Sequence, residues 1–200
     1  SITPAVAQLK EISKPKLSVA TETVLLPLQK VTADQVERSV STLKLARAGE
    51  KVDFFDHVTA YKTLFLDQLC HATPFASTAE HLTWGLSRSM AGVGEMLPVE
   101  VTAITVGDQL GMVFLPGEVF VELGLAIKQA SPFPTTLVIE LSNASETIYI
   151  PHRAAYAGGS YEVTNSAVQP GSGEMLVEAA IGLLRRSATE FLAQQQASGQ

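Results

Sequence analysis

Residues 99–118 read VEVTAITVGDQLGMVFLPGE, and this stretch decides the fold. From Val99 to Val106 apolar and polar residues alternate, the period of a strand that lays one face on a core. Gly107-Asp108 is a hairpin turn signal. Leu110 to Leu115 is almost wholly apolar, the pattern of a second, buried strand. Pro116-Gly117 breaks that strand, and a helix is expected from Glu118 to Gln129, ended by Ser131-Pro132.

Outward from this segment, Thr135 to Leu141 predicts another buried strand and Ile148 to Ile150 a short one. Residues 151–173 read as a loop rich in glycine. Glu174 to Gln195 predicts a long final helix with Leu176, Ala180, Leu183 and Leu184 inward. Towards the amino terminus, Leu17 to Leu28 predicts a strand that Pro27 confines to an edge. Thr32 and Gln35 have the spacing of a capping box, so a helix opens there, with Val36, Val40 and Leu43 on its apolar face and Gly49 at its end. A second helix is expected from Val52 to Leu69, with Phe55, Val58, Phe65 and Leu69 inward and Tyr61 beside them. A third is expected over Ala79 to Met90. The sum is an α/β, mixed α+β architecture, a mixed β-sheet with packed helices. Residues 1–200 read as a single domain or part of one, because neither half, divided near residues 91–98, completes a pair of layers alone.

Composition sets the outer limits. The chain has 200 residues, 46% hydrophobic and 17% charged, which is core-forming and excludes a disordered chain. A net charge of −6 argues against a nucleic-acid surface, which needs a basic stripe. No apolar run approaches the ~18 residues of a membrane span. The single cysteine, Cys70, has no partner for an internal disulfide. No basic and apolar leader opens the chain, so no signal peptide is read. A start at Ser1 rather than Met leaves open that something precedes it.

Two places attract chemistry. Glu118 follows a buried strand and a sharp Pro-Gly turn, where ligand sites gather in sheet-and-helix proteins. As an acid in a first helical turn it would equally complement the helix dipole without any further role. Residues 149–162 hold three of the four tyrosines, Tyr149, Tyr156 and Tyr161, with His152, Arg153 and Glu162. Such a loop is either a binding element or a connection pinned by tyrosine hydroxyls on backbone carbonyls. His57, His71 and His81 lack metal-ligand spacing, and no nucleophile elbow or nucleotide loop is present. Asn143-Ala-Ser145 has the form of a glycosylation sequon, a pattern that chance often produces. Glu140 suits a paired core acid as well as a site acid.

The run Phe-Leu-Pro-Gly-Glu118, the following helix, Thr-Leu-Val-Ile-Glu-Leu-Ser-Asn143, Tyr149-Ile-Pro, Tyr156 and Tyr161-Glu162 together resemble the neutral, non-lysosomal ceramidase family, and more closely its bacterial ceramidase-like proteins. The resemblance covers residues 97–190 and rests on the combination, Gly-Glu alone being a weak signal. It implies a zinc-dependent hydrolase of N-acyl amides. It implies that Glu118 and Tyr149 are zinc ligands and that Tyr161 stands near the substrate amide as a catalytic residue. It further implies a small N-acyl or sphingolipid-like substrate and, by family habit, a secreted or periplasmic protein. The family's two zinc histidines lie upstream in a His-x-His segment and a second strand end, and neither motif occurs in these 200 residues. The expectation is therefore the C-terminal portion of a larger catalytic domain, its missing N-terminal part completing the site. The alternative is a non-catalytic fragment or degenerate module that binds a ligand or partner without zinc. A further alternative is a metal-free hydrolase built on His152, Glu118 and Glu162.

Overall fold

The computed structural model describes residues 8–9, 11–12, 15–71, 92–142 and 147–198. The element order is β1 (Leu17–Pro27), α1 (Ala33–Arg47), α2 (Phe54–His71), β2 (Met96–Val106), β3 (Leu110–Phe114), β4 (Glu118–Val119), α3 (Val121–Ala130), β5 (Thr135–Ile139), β6 (Tyr149–Ile150), a 3-10 turn (Arg153–Ala157), α4 (Tyr161–Thr164) and α5 (Ser172–Ser198). The helix expected over Ala79 to Met90, His81 and the sequon at Asn143 lie outside the described residues.

A four-stranded sheet has the order β1-β2-β3-β5. β1 and β2 are antiparallel over their whole length, from Leu17 opposite Val106 to Pro27 opposite Met96. β2 and β3 form the expected hairpin, and β3 and β5 are parallel, with Val113 opposite Val138. The architecture is thus a mixed α/β fold. Pro27 ends an edge strand, where its missing N–H leaves no ladder bond unmade. Because β1 pairs with β2, the sheet joins the two halves of the sequence.

Helix α5 lies along β1 and β2 and packs on α3, which also touches β5. Both helices cover the same sheet face. Leu97, Val99, Val101, Ala103 and Val113 are buried on it. On the opposite face Leu17, Val19, Leu25 and Leu137 are exposed. β5 was expected to be buried, but it is an edge strand with Thr135 and Leu137 open to solvent.

Helices α1 and α2 pack on each other beyond the sheet. The capping box forms as read: the Thr32 side chain accepts the Gln35 N–H, and the Gln35 side-chain oxygen accepts the Thr32 N–H at 2.8 Å. The apolar face of α2 matches the expected one at Phe65 and Leu69 and departs from it at Phe55. Leu64, Phe65, Leu66 and Leu69 are buried, while Phe55 is exposed, because the first turn of α2 projects past the core. α5 buries Leu176, Ala180, Leu183 and Leu184 as expected.

Candidate active site

The turn at Pro116-Gly117 builds the site. Gly117 has φ +65, a backbone conformation that disfavours any side chain. A Cβ there would meet the buried Thr147 hydroxyl and come within 2.6 Å of the Ile148 carbonyl oxygen. Glycine therefore lets two chain segments touch. The Glu118 N–H then donates to Ile148 O at 2.8 Å and the Phe120 N–H to Ile150 O at 3.1 Å. The end of β5 is tied to the same turn, with the Leu141 N–H on Gly117 O and the Ser142 N–H on Leu115 O, both at 2.9 Å.

These bonds make β4 and β6 a two-strand parallel ladder in which Glu118 stands opposite Tyr149. Glu118 was expected in the first turn of a helix. It lies instead in β4, three residues ahead of α3, because the ladder with β6 captures its backbone. The first-turn acid of α3 is Glu122, so the dipole account of Glu118 does not apply. The Glu118 side of the ladder is solvent-exposed, and Tyr149 is half-buried.

Tyr161 opens α4, whose N-cap Ser160 accepts the Val163 N–H at 3.3 Å. Its ring meets Tyr149 edge-on, with centroids 5.8 Å apart. Burial, then the Glu118 carboxylate, then Tyr161 and Glu162 hold the Tyr149 phenol above its ordinary pKa. Hydrogen bonds from its own N–H and from Ser160 draw the Glu162 carboxyl below its ordinary pKa. Glu118, Tyr149 and Tyr161 thus meet at one place.

Tyr156 has another role. Its hydroxyl donates to Val168 O at 2.9 Å and lies 3.1 Å from Ser166 Oγ, pinning the loop to the chain beside β1. His152 faces the Phe120 ring at 6.0 Å and Glu122 at 3.9 Å, on the α3 side of β4. Arg153 supplies its backbone N–H to Glu174 at 2.8 Å, which locks the 3-10 turn to the start of α5.

Two neighbours escaped the sequence reading. The Phe54 ring stacks on Tyr161 at 5.9 Å and 27° and also meets Phe55 edge-on at 5.4 Å. The Asn165 side-chain N–H donates to the Tyr161 hydroxyl oxygen at 3.4 Å. The only sequence signal for Phe54 was a phenylalanine pair directly after Asp53, a helix-start residue.

A divalent cation would find a carboxylate and a phenol in register here, oxygen donors that zinc accepts. Among the described residues no group of three or more His, Cys, Asp or Glu could hold a metal. Glu118 and Tyr149 are thus two oxygen donors, fewer than the four of a closed zinc site.

The chain matches no protein-family model and no curated protein. Among solved structures it is similar to the neutral ceramidase from Pseudomonas aeruginosa, at 14% identity and TM-score 0.46, over 86% of this chain and 29% of that one. It is also similar to a ceramidase complexed with C2, at 16% identity and TM-score 0.46, over 86% of this chain and 30% of that one. The chain spans under a third of the length of these two proteins. At so low an identity, the chemistry of the site rests on its own residues. Among the described residues no helix is long and apolar enough to cross a membrane.

Proposed function

We propose that this chain carries part of the active site of a zinc-dependent N-acyl amide hydrolase of neutral-ceramidase type. The observation that carries the reading is the register of Glu118 with Tyr149, with the Tyr161 ring against Tyr149. These are the three residues that the motif resemblance singled out, and they come from separate elements.

Glu118 and Tyr149 would hold zinc, with two histidines from outside these 200 residues completing the set. Bound zinc supplies Lewis-acid activation of water and of the amide carbonyl. Glu118 contributes a carboxylate on a backbone held by the ladder, with the β5 end tied to Gly117 just before it. Tyr149 supplies a phenol oxygen beside it, and a cation there reverses the electrostatic sign that disfavours its phenolate. Tyr161 presents a hydroxyl proton to the oxygen on which negative charge develops as the amide is attacked. The substrate would be a small N-acyl amide, sphingolipid-like in class.

The test is hydrolysis of an N-acyl amide by the longer protein that contains this chain. Activity should vanish in chelator and return with zinc, and Tyr161→Phe should lower kcat by about 10²–10³-fold. A folded, zinc-loaded protein that leaves such amides intact would overturn the reading.

A further inference from the structure

The ring of Tyr161 is held by more than the site needs for a bystander. Tyr161 is 37% exposed and Phe54 is 58% exposed, yet the two rings lie nearly parallel at 5.9 Å. Tyr149 closes the other contact edge-on. A stacked pair at the surface fixes one ring plane where a lone tyrosine would sample several rotamers. Phe54 is itself placed by its helix start: the Asp53 carboxylate accepts the Phe55 N–H at 2.8 Å and the Asp56 N–H at 3.3 Å. The cap on α2 therefore sets a ring that belongs to the site.

The hydroxyl end is held separately. A phenol has one proton to donate and lone pairs to accept with. Asn165, one helical turn after Tyr161, donates its side-chain N–H to the phenol oxygen. That contact occupies an acceptor position, so the Tyr161 proton is turned away from Asn165. A donor that is itself hydrogen-bonded through its oxygen is polarised and gives a stronger bond.

We infer that Phe54 and Asn165 are positioning residues for Tyr161, Phe54 fixing the ring plane and Asn165 turning the hydroxyl proton away from its own side chain. The inference gives residues 50–60, which carry no part of the family resemblance, a share in the site. It rests on the proposed role of Tyr161 but is read out without substrate.

The test is nuclear magnetic resonance on the whole chain labelled at its asparagine side-chain amides and at its four tyrosine rings. Tyr161→Phe assigns one of them. Phe54→Ala should shift the Tyr161 ring signals through loss of the ring current, and Phe54→Tyr should restore them. Asn165→Ala should shift the Tyr161 ring carbon that bears the hydroxyl, and Tyr161→Phe should shift the Asn165 side-chain amide. Tyr156, hydrogen-bonded to Val168 and Ser166, reports that the fold is intact and should not move. Tyr161 signals unmoved by Phe54→Ala and by Asn165→Ala, with Tyr156 in place, would overturn the inference. Failure of amide hydrolysis in the zinc-loaded protein bears on the proposed reaction alone and leaves these shifts as they are.

Discussion

Glu118 and Tyr149 stand opposite each other in a parallel two-strand ladder, tied by the Glu118 N–H on Ile148 O at 2.8 Å. The two residues are thirty-one positions apart in the chain, and one glycine lets their strands meet.

That glycine gives the first prediction. Gly117→Ala meets both a positive φ and contact with Thr147 and the Ile148 carbonyl. It should destabilise the chain by about 2–4 kcal/mol, as backbone strain and overpacking add. Gly159 also has a positive φ, +60, but a Cβ there has nothing within 4 Å. Gly159→Ala should cost only ~1–2 kcal/mol, from conformation alone. Urea unfolding of both variants checks this, and equal losses would refute the steric part.

The capping box is the second. Thr32→Ala removes the acceptor for the Gln35 N–H and should lower stability by ~1 kcal/mol. The urea midpoint should fall with the slope unchanged. A midpoint that does not move would show that α1 is held by packing alone.

Alkaline pH provides the third. Burial raises the pKa of Cys70, helped by Asp67 and Glu95, and burial raises those of Tyr61 and Tyr156. An acid whose pKa is raised on folding contributes stability that is complete below its unfolded pKa and lost as pH climbs towards the folded value. Stability should therefore decline from about pH 8, where a free thiol begins to ionise, and continue through the tyrosine range. Lys62 acts in the opposite sense, since burial lowers its pKa and its penalty fades as pH rises. Lys62→Met should accordingly steepen the decline, measured as the urea midpoint between pH 7 and 11. A midpoint that stays level across that range would count against the burial of these groups.

Much of the fold was legible because its signals are local. The alternation from Val99 to Val106, the Gly107-Asp108 turn and the Thr32–Gln35 spacing each report a structure completed within a few residues. What misled was tertiary. Glu118 follows Pro-Gly as a helix-start acid does, yet a strand thirty residues later pairs with its backbone and moves the helix start to Val121. β5 has the composition of a buried strand, and only the strand order shows it at an edge. Phe55 fits the helical period of α2, but the period does not say where the core ends. In the site, the tyrosine series was visible as a series. Its division of labour was not, because Tyr156 differs from Tyr149 and Tyr161 only in what folds against its hydroxyl.

The central claim is that Glu118 and Tyr149 together hold zinc. The most direct measurement is the zinc content of the full-length protein, beside its Glu118→Gln and Tyr149→Phe variants. About one zinc per chain is expected in the parent, as a four-ligand site requires, and at least tenfold weaker retention in each folded variant. A folded parent without zinc, or variants that keep it as tightly as the parent, would show that Glu118 and Tyr149 are not zinc ligands.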